Sequence, residues 1–301
     1  MILGIDIGGT SAKFGIVSHE GEISHSKRFK TEEWITQGGF IKNLADEVGN
    51  YLKQFPTITG VGIGWPGLLS GDRKKVIFLP NIPSVKDEYI VPLLNSRFPG
   101  IVFKIENDAK CAALGEYYFG GHKGFDNYIL VTLGTGVGSG VVMKGKLFIG
   151  VRGNGTEIGH ILTHTGKTLE EQIGLKNLVA YAKELLAKDV LYKSSLHTVE
   201  DLDPKSIQNE ADKGDELALE VYKYAGRFLG ETMVGVIRTL DLDKILIGGG
   251  ISPAIELIKP DMLQVLKKHL PAYYTADLQI KQATLSNDAG LLGAAALILE
   301  K

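Results

Sequence analysis

The feature that most restricts the fold is a pair of matching stretches in which an apolar strand enters a glycine turn and leaves it as another strand. Ile2–Asp6 runs through Gly8-Gly9-Thr10 into Ala12–Val17, and Tyr128–Thr132 runs through Gly134–Gly140 into Val141–Met143. Two such openings in one chain imply two similar lobes. After the first, HEGE turns into a third strand near Ile23–Phe29. Apolar residues then fall at Phe40, Ile41, Leu44, Val48, Tyr51 and Leu52, the spacing of an amphipathic helix, which Pro56 stops. Strand Ile58–Ile63, a loop rich in Gly and Pro over 64–83, strand Ile101–Ile105 and a short helix near Asp108 complete a βββαβα order. The second half repeats the opening, with a hairpin through Lys144–Gly145 into Leu147–Ile149. It adds a helical insertion (about 169–186), a long amphipathic helix near 216–240 and a strand at Lys244–Ile247. The chain closes on DAGLLGAAALILEK, an Asp-started helix of small residues suited to tight packing, here expected against the first lobe.

Composition narrows the function. The 301 residues, 44% of them hydrophobic, can fill real cores, and 38 Gly against 10 Pro mark glycine as the residue to follow. Lys+Arg 33 against Asp+Glu 35, with no basic stripe, argues against a nucleic-acid partner. The N-terminus lacks the pattern of a secretory signal and no apolar run is long enough to span a bilayer, so no membrane partner and a reducing cytoplasm are expected. The single cysteine, Cys111, forbids an intrachain disulfide and any zinc site built on several thiolates. It reads as a small buried residue on a helix.

Three glycine loops that follow apolar strands, Gly8–Thr10, Gly134–Gly140 and Gly248–Gly250, have the composition with which backbone N–H groups hold phosphate. Any one alone is more often just a hairpin turn, and three together point to phosphate. Asp6 at the edge of the first is chemically adequate to hold hydrated Mg²⁺, which takes few carboxylates beside substrate phosphates, or it simply caps the turn. Two other patterns carry nothing. Gly62–Gly67 fits a dinucleotide fingerprint but does not open a helix, and Gly166-Lys167-Thr168 resembles the tail of a Walker A loop whose earlier glycine position holds Ile161, so a turn is expected there. Asp108, at the start of an apolar helix, reads as an N-cap or as a general base.

Taken in order, Asp6-Ile-Gly-Gly-Thr10, Gly64-Trp-Pro-Gly67, Glu106-Asn-Asp-Ala109, Leu133-Gly-Thr-Gly-Val-Gly138, Glu157-Ile-Gly-His160, Gly248-Gly-Gly250 and Asp288-Ala-Gly-Leu-Leu-Gly-Ala294 resemble the ROK family of repressors, open reading frames and sugar kinases. The resemblance runs from residue 2 to about 297. It implies an α/β, actin-like ATPase fold (ribonuclease H-like), with one lobe at 1–118 completed by helix 288–301 and the other at 119–287. It further implies sugar and nucleotide meeting in the cleft between lobes, Asp108 as catalytic base, and Gly67, Asn81, Asn107, Glu157, His160 and Glu170 at the sugar. Glu170 is preferred to Glu171. Asp6, Gly8, Gly9, Thr10, Lys13, Gly134, Thr135, Gly136, Gly248, Gly249 and Gly250 go to nucleotide or phosphate, and a homodimer is expected.

One departure matters. Many members follow the Glu-x-Gly-His segment with a cysteine-rich loop that binds structural zinc together with the histidine, whereas here His160 is followed by ILTHTGKTLEEQIG. No structural zinc is expected, His160 loses that role, and segment 163–174 is left to be ordered by packing alone. The resemblance therefore implies an ATP- and Mg²⁺-dependent hexose kinase, glucose first, with mannose, fructose and N-acetylated hexosamines behind it. Polyphosphate is the alternative donor, because relatives that use it also lack the cysteines. A sugar-sensing repressor would carry a helix-turn-helix ahead of the first phosphate loop, which here begins at Asp6. A non-catalytic sugar- or nucleotide-binding protein would lack the base or a loop.

Overall fold

The computed structural model describes residues 1–37, 39–79, 82–191 and 193–300. β1 (Ile2–Ile7), β2 (Ser11–Val17) and β3 (Ile23–Lys30) form an antiparallel meander, followed by α1 (Thr31–Thr36), α2 (Phe40–Gln54) and β4 (Gly60–Trp65). β5 (Leu68–Leu69), β6 (Val76–Phe78) and β7 (Lys86–Glu88) then make a small antiparallel side sheet, and α3 (Ile90–Arg97) leads into β8 (Val102–Asn107) and α4 (Asp108–Phe119). The side sheet and α3 lie where a loop was expected from 64 to 83 and just beyond it. Strands of two or three residues are too short to show a period of two.

The second half comprises β9 (Tyr128–Leu133), β10 (Val137–Met143), β11 (Lys146–Phe148), α5 (Leu169–Ile173), α6 (Leu175–Lys188), α7 (Pro204–Asp212), α8 (Glu216–Leu240), β12 (Lys244–Gly248), α9 (Ile255–His269), α10 (Ala272–Thr275), β13 (Gln279–Gln282) and α11 (Ala289–Leu299). The main sheets have the orders β3-β2-β1-β4-β8 and β11-β10-β9-β12-β13, one arrangement used twice. In each, an antiparallel meander is continued by parallel strands, with β1 parallel to β4, β4 to β8, β9 to β12 and β12 to β13. This is the duplicated order that an actin-like ATPase fold requires.

The chain divides into two compact units, one of Met1–Asp126, Gly140–Thr156 and Thr284–Lys301, the other of Asn127–Ser139 and Glu157–Ala283. The first break thus follows Asp126, rather than residue 118, and the β10–β11 hairpin end belongs with the first unit. In that unit Phe14, Phe29, Trp34, Phe40 and Tyr51 form an aromatic cluster where α1 and α2 cover the meander. α11 lies against α4, β1 and β4 at backbone distance. A Cβ on Gly62 would fall well inside contact with the Ala294 carbonyl oxygen, and one on Gly293 inside contact with that of Cys111. Gly62, whose spacing suggested a nucleotide fingerprint, is there to admit a helix. No helix among the described residues is long and apolar enough to cross a membrane.

Candidate active site

In the first unit, β1 ends at Asp6 and turns through Gly8–Thr10, where the Gly8 N–H donates to the Ser11 carbonyl at 2.8 Å and Gly9 and Thr10 are exposed. Asp6 is partly buried, and its carboxyl faces Gly290 so closely that a Cβ there would sit 2.6 Å from its Cγ. Burial drives the Asp6 pKa up to about 6, opposed in part by Lys13 and Arg28. Lys13, its partner in the strand register, pairs instead with Asp288. Asp288 therefore makes no side-chain cap for α11, contrary to the expectation of an Asp-started helix. An incompletely neutralised carboxylate beside a glycine turn fits a hydrated Mg²⁺ carried by substrate phosphates. Among the described residues no group of three or more His, Cys, Asp or Glu could hold a metal ion by itself.

β8 delivers the Glu106–Ala109 segment to the start of α4. The cap is Asn107, not Asp108: the Asn107 Oδ1 accepts from the N–H groups of Ala109 and Lys110 at 3.1 and 3.2 Å. Asp108 occupies the first helical position, one carboxylate oxygen accepting from the Ala109 N–H at 2.8 Å. The residue is partly exposed between buried neighbours. The Asn107 Nδ2 points at the Gly67 carbonyl, 3.5 Å away. Glu106 is 4% exposed; burial pushes its carboxyl up, and Arg73, 2.7 Å from Oε2, pulls it back. Sequence reading gave neither Glu106 nor Arg73 a role, although a carboxylate at the end of an apolar strand is a signal that something pairs with it. Asn81 lies outside the described residues.

In the second unit the glycine turn is shorter than expected, because β10 begins at Val137 and only Gly134–Gly136 form the turn. The Gly134 N–H donates to the Gly136 carbonyl at 3.0 Å, and Thr135 is exposed. The third loop leaves β12 at Gly248. Gly249 has φ +83 and a Cβ there would sit 2.4 Å from the Leu133 carbonyl oxygen, which only glycine avoids, while a Cβ on Gly250 would meet nothing within 4 Å. Glu157 immediately precedes a single 3-10 turn, Ile158–His160, without a side-chain cap bond to it, and the turn's end, His160, is exposed.

The helical insertion is broken at Gly174 into α5 and α6. Thr168 and Glu171 form a capping box at the start of α5, whereas Glu170 turns toward the glycine turn, its Oε2 accepting from the Val137 N–H at 2.9 Å. Segment 163–174 is held by hydrogen bonds as well as packing. The Thr163 N–H donates to the Lys167 carbonyl at 2.8 Å, and the Leu169 N–H to the Ile161 carbonyl at 2.9 Å. A side-chain chain runs from Tyr224 Oη, which donates to Gln172 Oε1, to Gln172 Nε2, which donates to Thr165 Oγ1. Gly166-Lys167-Thr168 is part of that turn, as expected.

The likeness to known proteins extends over the whole chain. It matches the model of the ROK family over residues 2–301. It is 30% identical over 317 residues, spanning 100% of this chain and 98% of the relative, to a glucokinase of Thermotoga maritima. A candidate sugar kinase of Cytophaga hutchinsonii has a structure of TM-score 0.97 at 59% identity, covering 100% of both chains. A ROK family glucokinase of Streptomyces griseus, solved with glucose and AMPPNP, superposes with TM-score 0.80 at 28% identity over 98% of each chain. The fold is thus the actin-like ATPase fold, and the repeated sheet order, the ordered glycine turns and these end-to-end matches make the chain a member of the ROK family.

Proposed function

We propose that the protein is an ATP-dependent hexose kinase that transfers the γ-phosphoryl group to the 6-hydroxyl of glucose. The observation that carries the reading is the junction of β8 and α4. Asn107 is the cap residue of the helix, its Oδ1 accepting from two N–H groups, and Asp108 places a partly exposed acidic side chain at the first turn. In the proposed reaction Asp108 accepts the hydroxyl proton as the bond from sugar oxygen to γ-phosphorus forms, and the bond from that phosphorus to the β,γ-bridging oxygen breaks to release ADP. Glycine turns Gly8–Thr10, Gly134–Gly136 and Gly248–Gly250 offer backbone N–H groups to phosphate oxygens, with Lys13 nearby in the first unit. A bound Mg²⁺, held through Asp6 and water, would neutralise charge on the phosphates. Gly67, Asn81, Asn107, Glu157, His160 and Glu170 are proposed to contact the sugar; Asn107 can offer only its Nδ2, since its Oδ1 is occupied by the cap. A cytoplasmic homodimer is the expected form.

Coupled ADP release with ATP and Mg²⁺ over glucose, mannose, fructose, N-acetylglucosamine and N-acetylmannosamine tests this, repeated with polyphosphate and read as sugar phosphate. Preferred turnover of glucose with ATP is expected. Preference for another sugar or for polyphosphate would replace that part of the reading, and silence with both donors would defeat it.

A further inference from the structure

We propose that Arg73 is a positioning residue, a three-way clamp that sets the Asn107–Asp108 junction and the loop entering Glu157 in register; the catalytic meaning of this clamp rests on the function proposed above. Arg73 lies in the turn between β5 and β6, outside every motif singled out in the sequence. Its guanidinium holds its own turn and two distant segments. Nε donates to Glu106 Oε2 at 2.7 Å, Nη1 to the Ser70 carbonyl at 3.1 Å, and Nη2 to the Gly153 carbonyl. The other oxygen of Glu106, Oε1, accepts from the Asn107 N–H at 2.8 Å. A continuous chain therefore runs from Gly153 through Arg73 and Glu106 to the backbone of the residue that caps α4, next to Asp108.

The Gly153 end is equally fixed. Asn154 exchanges hydrogen bonds with the Leu69 backbone, accepting from its N–H at 3.3 Å and donating to its carbonyl at 2.9 Å. The Gly155 N–H donates to the Ile149 carbonyl at 2.9 Å, and after Thr156 the chain enters Glu157. Arg73 itself holds φ +55, a left-handed conformation disfavoured for a long side chain, and it is retained by a turn that Ser70 and Asp72 lock, with Ser70 Oγ donating to Asp72 Oδ1 at 2.6 Å.

A buried ion pair is weak evidence for stability, because an apolar pair of similar volume often serves folding as well. What Arg73 supplies and an apolar residue would not is direction: a planar fork with donors aimed at one carboxylate and two carbonyls. Lysine, a single point of charge, cannot satisfy all three.

The test uses the full chain and the variants Arg73→Gly, Arg73→Lys and Glu106→Gln, with sugar turnover and amide hydrogen exchange as readouts. Glycine suits the left-handed backbone and leaves a gap the size of the lost side chain, beside a cavity of about 400 Å³ that Arg73 and Glu106 line. Arg73→Gly should lower kcat about 100-fold, the scale of an ångström of misplacement, with the KM for ATP little changed. Added methylguanidinium should restore part of kcat and methylammonium none, and Arg73→Lys should stay impaired. Exchange should quicken in segments 104–112 and 149–156 and stay as in the wild type in β9 and β12. Wild-type kcat in Arg73→Gly, or protection lost uniformly across the chain, overturns the proposal. Should Arg73→Gly not fold, Arg73→Lys keeps the buried charge and is judged by the same readouts. If the wild type phosphorylates no sugar the functional reading fails alone, and unchanged exchange in the two segments would still overturn the clamp.

Discussion

At the scale of single residues, two carboxylates have different assignments. Asp108→Asn should fold like the wild type, since the cap belongs to Asn107, and should bind sugar and nucleotide with KM values within a few-fold. Its kcat should fall about 10²- to 10⁴-fold, the contribution of a positioned base, and steady-state kinetics beside a melting curve checks both. Asp6 is held neutral more readily than in the unfolded chain, its pKa raised by burial from 3.8 to about 6. Well below pH 3.8 the group is protonated in both states. As pH rises toward 6 the unfolded chain ionises first, so this group's contribution to stability falls and stays low above pH 6. Partial exposure of the residue screens the effect, which should amount to about 1–3 kcal/mol. Asp6→Asn should therefore be more stable than the wild type at pH 7 and converge with it near about pH 3, read as the difference between urea titrations of the two proteins. Equal stability at both pH values would count against the assignment.

Elements bring two glycines of opposite meaning. Gly62→Ala drives a methyl into the backbone of α11 and should cost about 1–3 kcal/mol or more in urea unfolding. Gly250→Ala meets nothing within 4 Å and should change stability by less than about 0.5 kcal/mol. If its loop holds phosphate at backbone distance, the added methyl should crowd the phosphate and raise the KM for ATP about tenfold, roughly 1.4 kcal/mol; an unchanged KM would remove Gly250 from the nucleotide site. The α5 segment depends on the Tyr224–Gln172–Thr165 chain. Tyr224→Phe leaves a buried Gln172 oxygen without its donor and should cost about 1–3 kcal/mol. These elements were unequally legible. Long periodic pieces such as α2 and α8 declare themselves through apolar spacing. By contrast α1, the β5–β7 sheet and the break at Gly174 are too short for any period, and their existence depends on neighbours.

For the molecule as a whole, incubation with a zinc chelator should leave the melting temperature unchanged, and stoichiometric zinc found by elemental analysis in metal-free buffer would contradict the expectation. The prediction follows from cysteine count, the kind of property a sequence states outright. So do the duplicated strand–glycine–strand opening, the three loops able to approach phosphate, and the order of motifs that carries family membership, because each depends only on which residues neighbour one another along the chain. Tertiary structure decided the rest. It gave the cap to Asn107 and left Asp108 at the first helical position, turned Lys13 to Asp288, aimed Glu170 rather than Glu171 at the Gly134–Gly136 turn, and brought Arg73 to Glu106 across 33 residues of sequence. Such assignments are competitions among polar groups for the same partners in a confined space. Their outcome depends on distances that no local pattern encodes.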